Sequence, residues 1–515
     1  MNTTVHAADV DDFRALITRK LGLFFDDTKT DFLADVLRAR LERTSCSHFA
    51  EYERRVAPLT CYDDEMRALA EALTIGETYF FRYGDHFQAL SQVALPACIK
   101  AREEEGGREL RILSAGCSSG EEAYSIAILL QEAFPLLAGW RISILGIDIN
   151  PAAIEKATNA RYSTWSLRET SEERATEYFE PAGRQLRLRE SIRRAVRFEQ
   201  RNLAVEDNLF WQPNAFDIVM CRNVTIYFSL DVTRCVVARI ARALRPGGFF
   251  FLGHAETLRG ISTAFHLRHT HNTFYYQRRE AVGEADDLFA TMKCVARTAA
   301  RAAHADTWSG PSAELAPPSA TVWDAPIPTT FSATPASVPA TFVTSASAAS
   351  ASAPALEFLR RERFVEGKEF LRALPPGSAT DPDAQLLLAV LHANSGEIAE
   401  AESIARQVLA DDELNTGAHY LIALCRENAG DRDGAVRHNQ AATYLDPLFA
   451  MPHLHLGLLA KRAADTDTAR RELGLALPLI DREDPARILL FGGGFTREAL
   501  VEFCRAELRA CGGNA

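Results

Sequence analysis

The 515-residue chain has ten cysteines but no C-x-x-C pair and no cysteine–histidine spacing suited to zinc. That pattern argues against a zinc site and predicts reduced thiols. Basic residues are not in excess: 57 Lys and Arg stand against 69 Asp and Glu, a formal net charge of -12. This balance argues against nucleic acid as the main partner, a local basic face aside. The opening MNTTVHAADVDDF lacks the basic-then-apolar order of a signal peptide. Long apolar runs are missing too. The longest uncharged stretch, residues 325–356, is Ala, Ser, Thr and Pro, too polar and Pro-broken to span a bilayer. The expected location is the cytoplasm. What is present is ordinary for a soluble globular protein, 47% hydrophobic and 24% charged, and the length predicts about three domains.

Residues 9–80 carry helical periodicity. In DFLADVLRARLER, Phe32, Leu33, Val36, Leu37 and Leu41 fall on one side of a helix. Lys29, Arg38, Arg40 and Arg43 make the segment basic, as either a solvated face or a docking surface for an acidic partner. From about 108 to 278 apolar strands alternate with helical stretches: Leu110–Leu113, Ile142–Ile147, Phe216–Cys221, Phe249–Leu252 and a closing aromatic run near Thr273–Tyr276. Such alternation predicts a parallel, doubly wound sheet. Residues 311–355 are mostly Ala, Ser, Thr and Pro, with no Lys or Arg from Ala302 to Leu359. They cannot bury enough apolar surface to offset ordering entropy, so 281–355 is read as a largely disordered linker.

Beyond it the chain repeats. NSGEIAEA, NAGDRDGA and RAADTDTA place Ala401, Ala435 and Ala469 at 34-residue intervals. Gly396, Gly430 and Ala464 keep the same spacing. That is the tetratricopeptide period: pairs of antiparallel helices that bury their faces only by stacking. Helical flanks are expected at about 356–374 and 484–510. The expected domains are thus 1–85, 86–280, the linker, and a repeat array over 356–510.

Residues 113–128, LSAGCSSGEEAYSIAI, run a strand into a small-residue turn with glycines at 116 and 120, then into a helix. Such turns usually cradle phosphate at the helix N-terminus. Here the helix opens with Glu121 and Glu122, whose carboxylates would repel it. The strand ISILGID ends in Asp148, where an acid can accept hydrogen bonds from ribose hydroxyls. S-adenosylmethionine has no phosphate and carries an α-ammonium and a sulfonium, which suit a carboxylate-lined turn. A purely structural turn is the other reading of the glycines. Two more stretches add to the set. TIGETYFFRYGDHF (74–87) places Thr78, Phe80, Phe81 and Arg82 just ahead of the α/β region, and MCRNVTIYF (220–228) ends an apolar strand in Arg222-Asn223. Asn223 is either a site residue or a turn cap.

Over residues 9–278 these motifs, with RNL, LRPGG and GHAE in order, resemble the chemotaxis-receptor glutamate methyltransferases, CheR. With its repeats the chain looks like the subclass that includes Wsp-type surface-sensing enzymes. The resemblance implies a multidomain protein: an all-α N-terminal domain, a Rossmann-like α/β methyltransferase domain with a small β-subdomain at 183–199, the disordered linker, and a helical tetratricopeptide solenoid. It implies S-adenosylmethionine as cofactor, with Thr78, Arg82, Glu122, Asp148, Asn202, Leu203, Asn223 and Val224 around it, and no metal. Arg82 would orient the reacting groups. Tyr227 would border the methyl, with core packing the alternative for it. Two departures stand out: Gly76 where the family usually has Asn, and SSGEEA for STGEEP. The implied reaction converts receptor glutamates to methyl esters. The implied partners are a receptor's cytoplasmic domain, docked on Lys29, Arg38, Arg40 and Arg43, and an unidentified protein bound by the repeats. The β-subdomain looks too short to tether a receptor tail peptide. Two rivals stay open: a methyltransferase acting on a small molecule or RNA, and a non-catalytic cofactor-binding module, hinted at only by Gly76.

Overall fold

The computed structural model describes residues 5–133, 137, 139–280, 348–375 and 381–512. Four helices open the chain, α1 (Ala7–Leu21), α2 (Thr30–Thr44), α3 (Phe49–Val56) and α4 (Asp64–Leu73). On α2 the expected stripe folds inward at Leu33, Leu37 and Leu41, which join Phe13 and Tyr52 in one core, while Phe32 stays 42% exposed at its edge. Helix α1 stops at Gly22 (φ +79°), where a Cβ would stand 2.3 Å from that of Ala204. Glycine is thus required twice over, for the left-handed turn and for close approach to the loop after Asn202.

After α5 (Gly84–Ala89) and α6 (Leu95–Glu104) come the strands: β1 (Glu109–Ala115), β2 (Arg141–Asp148), β3 (Arg161–Tyr162), β4 (Phe179–Ala182), β5 (Gln185–Leu188), β6 (Val196–Gln200), β7 (Phe216–Cys221), β8 (Leu244–Leu252), β9 (Phe265–Thr270) and β10 (Thr273–Arg278). Seven form one sheet in the order β6-β2-β1-β7-β8-β10-β9. The pairs β1/β2, β1/β7 and β2/β6 are parallel. Every residue of β7 is buried, as a strand covered on both faces requires. Because β1 lies between β2 and β7, the chain order reverses there, and the carboxyl ends of these three strands frame one crevice. Helices α7 (Glu121–Ala133), α8 (Pro151–Asn159), α9 (Glu172–Tyr178), α10 (Glu190–Arg193) and α11 (Leu230–Ala243) complete this region.

The small sheet has the order β3-β5-β4. It therefore draws on residues 161–188, and of the expected 183–199 only β5 belongs to it. Val196–Gln200 instead pairs with β2 as the edge of the large sheet, because alternating Arg and apolar residues look alike in either sheet until a partner strand is assigned.

Two compact units are present, one built on Met1–Phe251 and one that gathers Leu252–Tyr276 with the C-terminal helices. The helices come in pairs: α12 (Ala348–Arg360) with α13 (Phe364–Arg372), α14 (Pro382–Asn394) with α15 (Ile398–Asp411), α16 (Thr416–Asn428) with α17 (Arg432–Leu445), and α18 (Ala450–Arg462) with α19 (Thr466–Arg482). Helices α20 (Pro485–Phe491) and α21 (Arg497–Ala510) follow. Ala401, Ala435 and Ala469 are all fully buried. Gly367 stands one period before Ala401, and a Cβ there would come within 3.0 Å of Leu391. The flank expected at 356–374 is thus a fourth repeat. Its backbone agrees: Glu362, Gly396, Gly430 and Ala464, one period apart, all have positive φ (56°, 79°, 79° and 60°). Within this second unit Phe274 stacks on Tyr444, ring centroids 4.5 Å apart, and Asp446 accepts from Arg259 and Arg487 at 3.0 and 2.9 Å.

The expected linker lies outside the described residues as far as 347, and α12 begins inside its last few positions. Among the described residues eight cysteines carry free thiols. Among the described residues no helix is long and apolar enough to cross a membrane, and no cluster of three metal-ligating side chains occurs.

Candidate active site

The crevice is built on the turn after β1. Gly116 (φ +74°), Ser118 (φ +49°) and Gly120 (φ +91°) carry it from Ala115 to the start of α7. Gly116 and Cys117 donate their amides to the Ile147 carbonyl at 2.8 and 2.9 Å, which fastens the turn to the end of β2. A Cβ on Gly116 would meet Val224 at 2.3 Å. Only glycine lets the turn close against the loop after β7.

Asp148 ends β2 and takes one backbone amide on each oxygen, Ser118 N and Asn150 N, both at 2.8 Å. Burial pushes its pKa up, and the amides act in the opposite sense. The Ile149 amide acts on it too, and a carboxylate has about four acceptor positions, so at least one remains for hydroxyl donors. Asn150 caps α8 and reaches across to Thr74 Oγ1 at 2.9 Å, which links this strand end to the TIGETYFFR loop.

The two acids that open α7 diverge, as adjacent helical side chains must. Glu121 is buried and accepts from Ser119 Oγ at 2.7 Å; burial pushes its pKa up. Glu122 accepts from Ser114 Oγ at 2.7 Å and from Arg222 Nη1 at 3.2 Å. The expectation of two acids lining the crevice is therefore corrected to one, and that one shares its charge with an arginine. Arg222 is buried, lies 5.3 Å from the Tyr83 ring and donates to the Arg82 carbonyl at 2.5 Å. Burial pulls its pKa down while Glu122 pulls it back up.

In the TIGETYFFR loop, Phe80 and Phe81 are anchors. The Phe80 amide donates to the Ser166 carbonyl, and its ring packs edge-on against Tyr162 and Phe179 at 4.9 and 5.0 Å. The Phe81 amide donates to Ser125 Oγ at 2.9 Å. Phe81 and Tyr83 both take left-handed backbone (φ 57° and 60°), which holds Arg82 half-buried between them. Arg82 donates to the Glu77 carbonyl at 3.1 Å and lies 5.2 Å from the Tyr83 ring. Thr78 is half-buried in the same loop. The Gly76 carbonyl accepts from Ser118 Oγ at 3.2 Å, so backbone meets the turn where the family usually has Asn.

Asn202 and Leu203 stand at the end of β6, beside the crevice. The Asn202 side chain accepts from Ala204 N at 2.8 Å and donates to the Lys20 carbonyl at 3.2 Å, while the Leu203 carbonyl accepts from Arg239. These contacts tie the sheet end to α1. Asn223 (φ +59°) turns the chain after β7, and Val224 packs over Gly116. Tyr227 is half-buried against the N-terminal helical core, and its carbonyl accepts from the Phe24 amide at 2.8 Å.

Of the four docking candidates, Lys29, Arg38 and Arg43 are exposed, Arg38 beside Asp35 at 2.6 Å. Arg40 is turned inward. It forms a two-pronged pair with Glu65, which also accepts from the Tyr52 hydroxyl at 2.6 Å, so its charge is spent inside the helical core. The residue that sequence reasoning left without a role is Arg222. Its signal was an arginine directly after a strand that runs Ile-Val-Met-Cys into it, where a buried cation needs an acid beside it.

The family described as "CheR methyltransferase, SAM binding domain" matches residues 76–274. Chemotaxis protein methyltransferase 2 of Vibrio cholerae is 34% identical over 277 residues, 53% of this chain and 94% of that protein. A probable biofilm formation methyltransferase, WspC, of Pseudomonas putida is 27% identical over 460 residues, 89% of this chain and 96% of that one. Among solved structures, a thermophilic TPR protein of Thermus thermophilus covers 32% of this chain and 98% of its own, at 17% identity and a TM-score of 0.25.

Proposed function

The chain belongs to the CheR methyltransferase family and uses S-adenosylmethionine, and from that premise we propose that it methylates glutamate side chains on the cytoplasmic domain of a methyl-accepting chemotaxis-type receptor. The residues fit the cofactor. Asp148 keeps at least one acceptor position for ribose hydroxyls, Glu122 is the carboxylate nearest the turn for the α-ammonium, and Asn202-Leu203 and Asn223-Val224 border the remaining edge with Thr78 and Arg82. No phosphate cradle competes, because Glu121 and Glu122 occupy the helix start. Bound S-adenosylmethionine supplies an activated methyl group.

The protein's own part is positioning. A glutamate with a pKa near about 4.3 is already ionised at neutral pH, so no general base is needed. Arg82 holds the incoming carboxylate, and its backbone, strained on both sides, fixes where the guanidinium points. Tyr227 borders the reacting end.

The observation that carries a protein substrate is the seam between the N-terminal helices and the crevice. Phe24 N bonds to Tyr227 O, and Asn202 bonds to Lys20 O. A helical module sutured to the rim of the site supports a macromolecular substrate over a small one, with Lys29, Arg38 and Arg43 as its docking charges. The repeat unit would bind a second protein and raise the local concentration of substrate. The site of action is the cytoplasm.

The test is transfer of labelled methyl to a purified receptor cytoplasmic fragment. Label on the protein that is lost at high pH marks an ester; base-stable label, or none, overturns the reading. Arg82→Ala should fall below roughly one tenth of wild-type turnover, within the 10²-fold range expected for misplacement.

A further inference from the structure

Two arginines and three histidines meet around one cavity of the second unit. It measures about 270 Å³ and is lined by Arg268, His269 and Phe274 of the β9–β10 hairpin and by Glu413, His419, Arg437 and His438 of the repeats, with Leu267, Leu409 and Ala441 as its apolar walls. Nothing in methyl transfer uses these groups.

The hydrogen bonds fix where the protons are. His419 Nε2 lies 3.0 Å from the Glu413 carbonyl, which can only accept, so Nε2 carries the hydrogen. Neutral His419 then has a lone pair on Nδ1. His438 Nδ1 is 3.0 Å from that atom and must be the donor. The acceptor nitrogen left on His438 is Nε2.

Charge around the pair is unequal. The Glu413 carboxylate is already engaged by His266 Nδ1 at 2.7 Å and by the Leu267 amide at 3.3 Å. Arg406 and Arg426 share Glu402, and Arg426 also meets Asp431. Arg437 is exposed at the cavity rim. His438 is held down to about 4 by burial first, then by His419, Arg426, Arg437 and Arg406. His419 is lowered by burial, and His269 by burial and then Arg437. The site therefore holds neutral imidazoles beneath a positive rim, the setting in which an anion is both attracted and able to recruit a proton.

We propose that this cavity binds a small oxyanion, a phosphate- or carboxylate-bearing metabolite, at Arg437, and that its entry places a solvent proton on His438 Nε2. The ring of His269, tilted against Phe274 with centroids 4.3 Å apart, forms one wall of the site.

Sulfate is the first probe, because it does not titrate near neutrality and any proton taken up must go to the protein. Full-length chain is titrated with sulfate by calorimetry at pH 7 in two buffers of different protonation enthalpy. Saturable binding with uptake of up to one proton is expected. Arg437→Gln should weaken it at least tenfold, and His438→Asn should bind without proton uptake. Arg437→Lys, which keeps the charge, should recover part of the affinity. Phosphate and acetate arms then separate the two ligand headgroups. No saturable binding of sulfate, equal binding by wild type and Arg437→Gln, or buffer-independent heat for wild type would each overturn the proposal.

Discussion

In the first unit the groups taken out of water beside the crevice are carboxylates, Glu121 and Asp148; in the second, around the hairpin and repeats, they are imidazoles, His419 and His438. Both kinds are buried at a cost, but the compensation differs. Around the crevice each acid is met by something fixed: backbone amides for Asp148, a serine for Glu121, and an arginine for Glu122. In the second unit the histidines meet one another and a carbonyl, which leaves them free to change charge. The difference teaches that the first unit is built to hold one electrostatic arrangement, and the second to tolerate two.

The largest test of that contrast is to break the fixed arrangement. Arg222→Leu leaves the half-buried Glu122 without its cation, and removing one partner of a buried pair costs up to about 3–5 kcal/mol. Denaturant unfolding of the first unit should shift by that amount and S-adenosylhomocysteine binding should disappear. Adding Glu122→Gln should restore most of the stability and none of the binding. If Arg222→Leu alone unfolds like wild type, the pair is not what holds the crevice.

A smaller effect comes from pH, and here the two units should move in opposite directions. Glu121 and Asp148 have raised pKa values in the folded state, so their contribution is full below the unfolded pKa and is lost as pH rises through the folded value. His438 is lowered from 6.5 to about 4, so its contribution is present above 6.5 and is lost as pH falls through that window. By pH ~5 the second unit should have lost about 2 kcal/mol from this one group, while the raised acids of the first act in the opposite direction as pH falls. Thermal melts of the full chain between about pH 7 and 5 should therefore show the repeat helices melting progressively earlier relative to the first unit, and His438→Gln should flatten the trend. Parallel shifts of both transitions would erase the comparison.

Much of this was legible in the sequence, for physical reasons. The parallel strands, the α2 stripe and the 34-residue repeat are periodic, and periodicity survives without coordinates. Asp148 and the Gly116–Gly120 turn were legible because a strand end and a positive-φ turn each demand particular residue types. Side-chain direction was not. Glu121 and Glu122 are neighbours in sequence yet bond to different partners, and Arg40 reads as a surface cation until Glu65 is placed beside it. The small sheet was shifted because its first strand, Arg161–Tyr162, is two residues long. The fourth repeat was missed because its left-handed position is filled by Glu362 instead of glycine.

That position gives the smallest prediction and the cleanest one. Gly396 and Gly430 have nothing within 4 Å of where a Cβ would stand, so glycine is there for backbone freedom and not for room. Ala464 occupies the same point of the third full repeat at φ 60°, exposed, with the steric cost of a left-handed alanine and no visible return. Ala464→Gly removes that cost, about 1 kcal/mol, and gives back part of it in unfolded-state entropy, for a net gain of about 0.5 kcal/mol in the second unit. Phe81 carries the same backbone strain in the first unit, but its amide bonds to Ser125 and its ring packs against Phe87 at 5.4 Å, so Phe81→Gly should destabilise and cost turnover. Opposite signs for one substitution type at two left-handed positions would mean that strain beside the crevice is held in place by its neighbours, whereas strain in the repeat is only a departure from the period. Equal gains at both would mean that the crevice backbone is strained for no reason that methyl transfer requires.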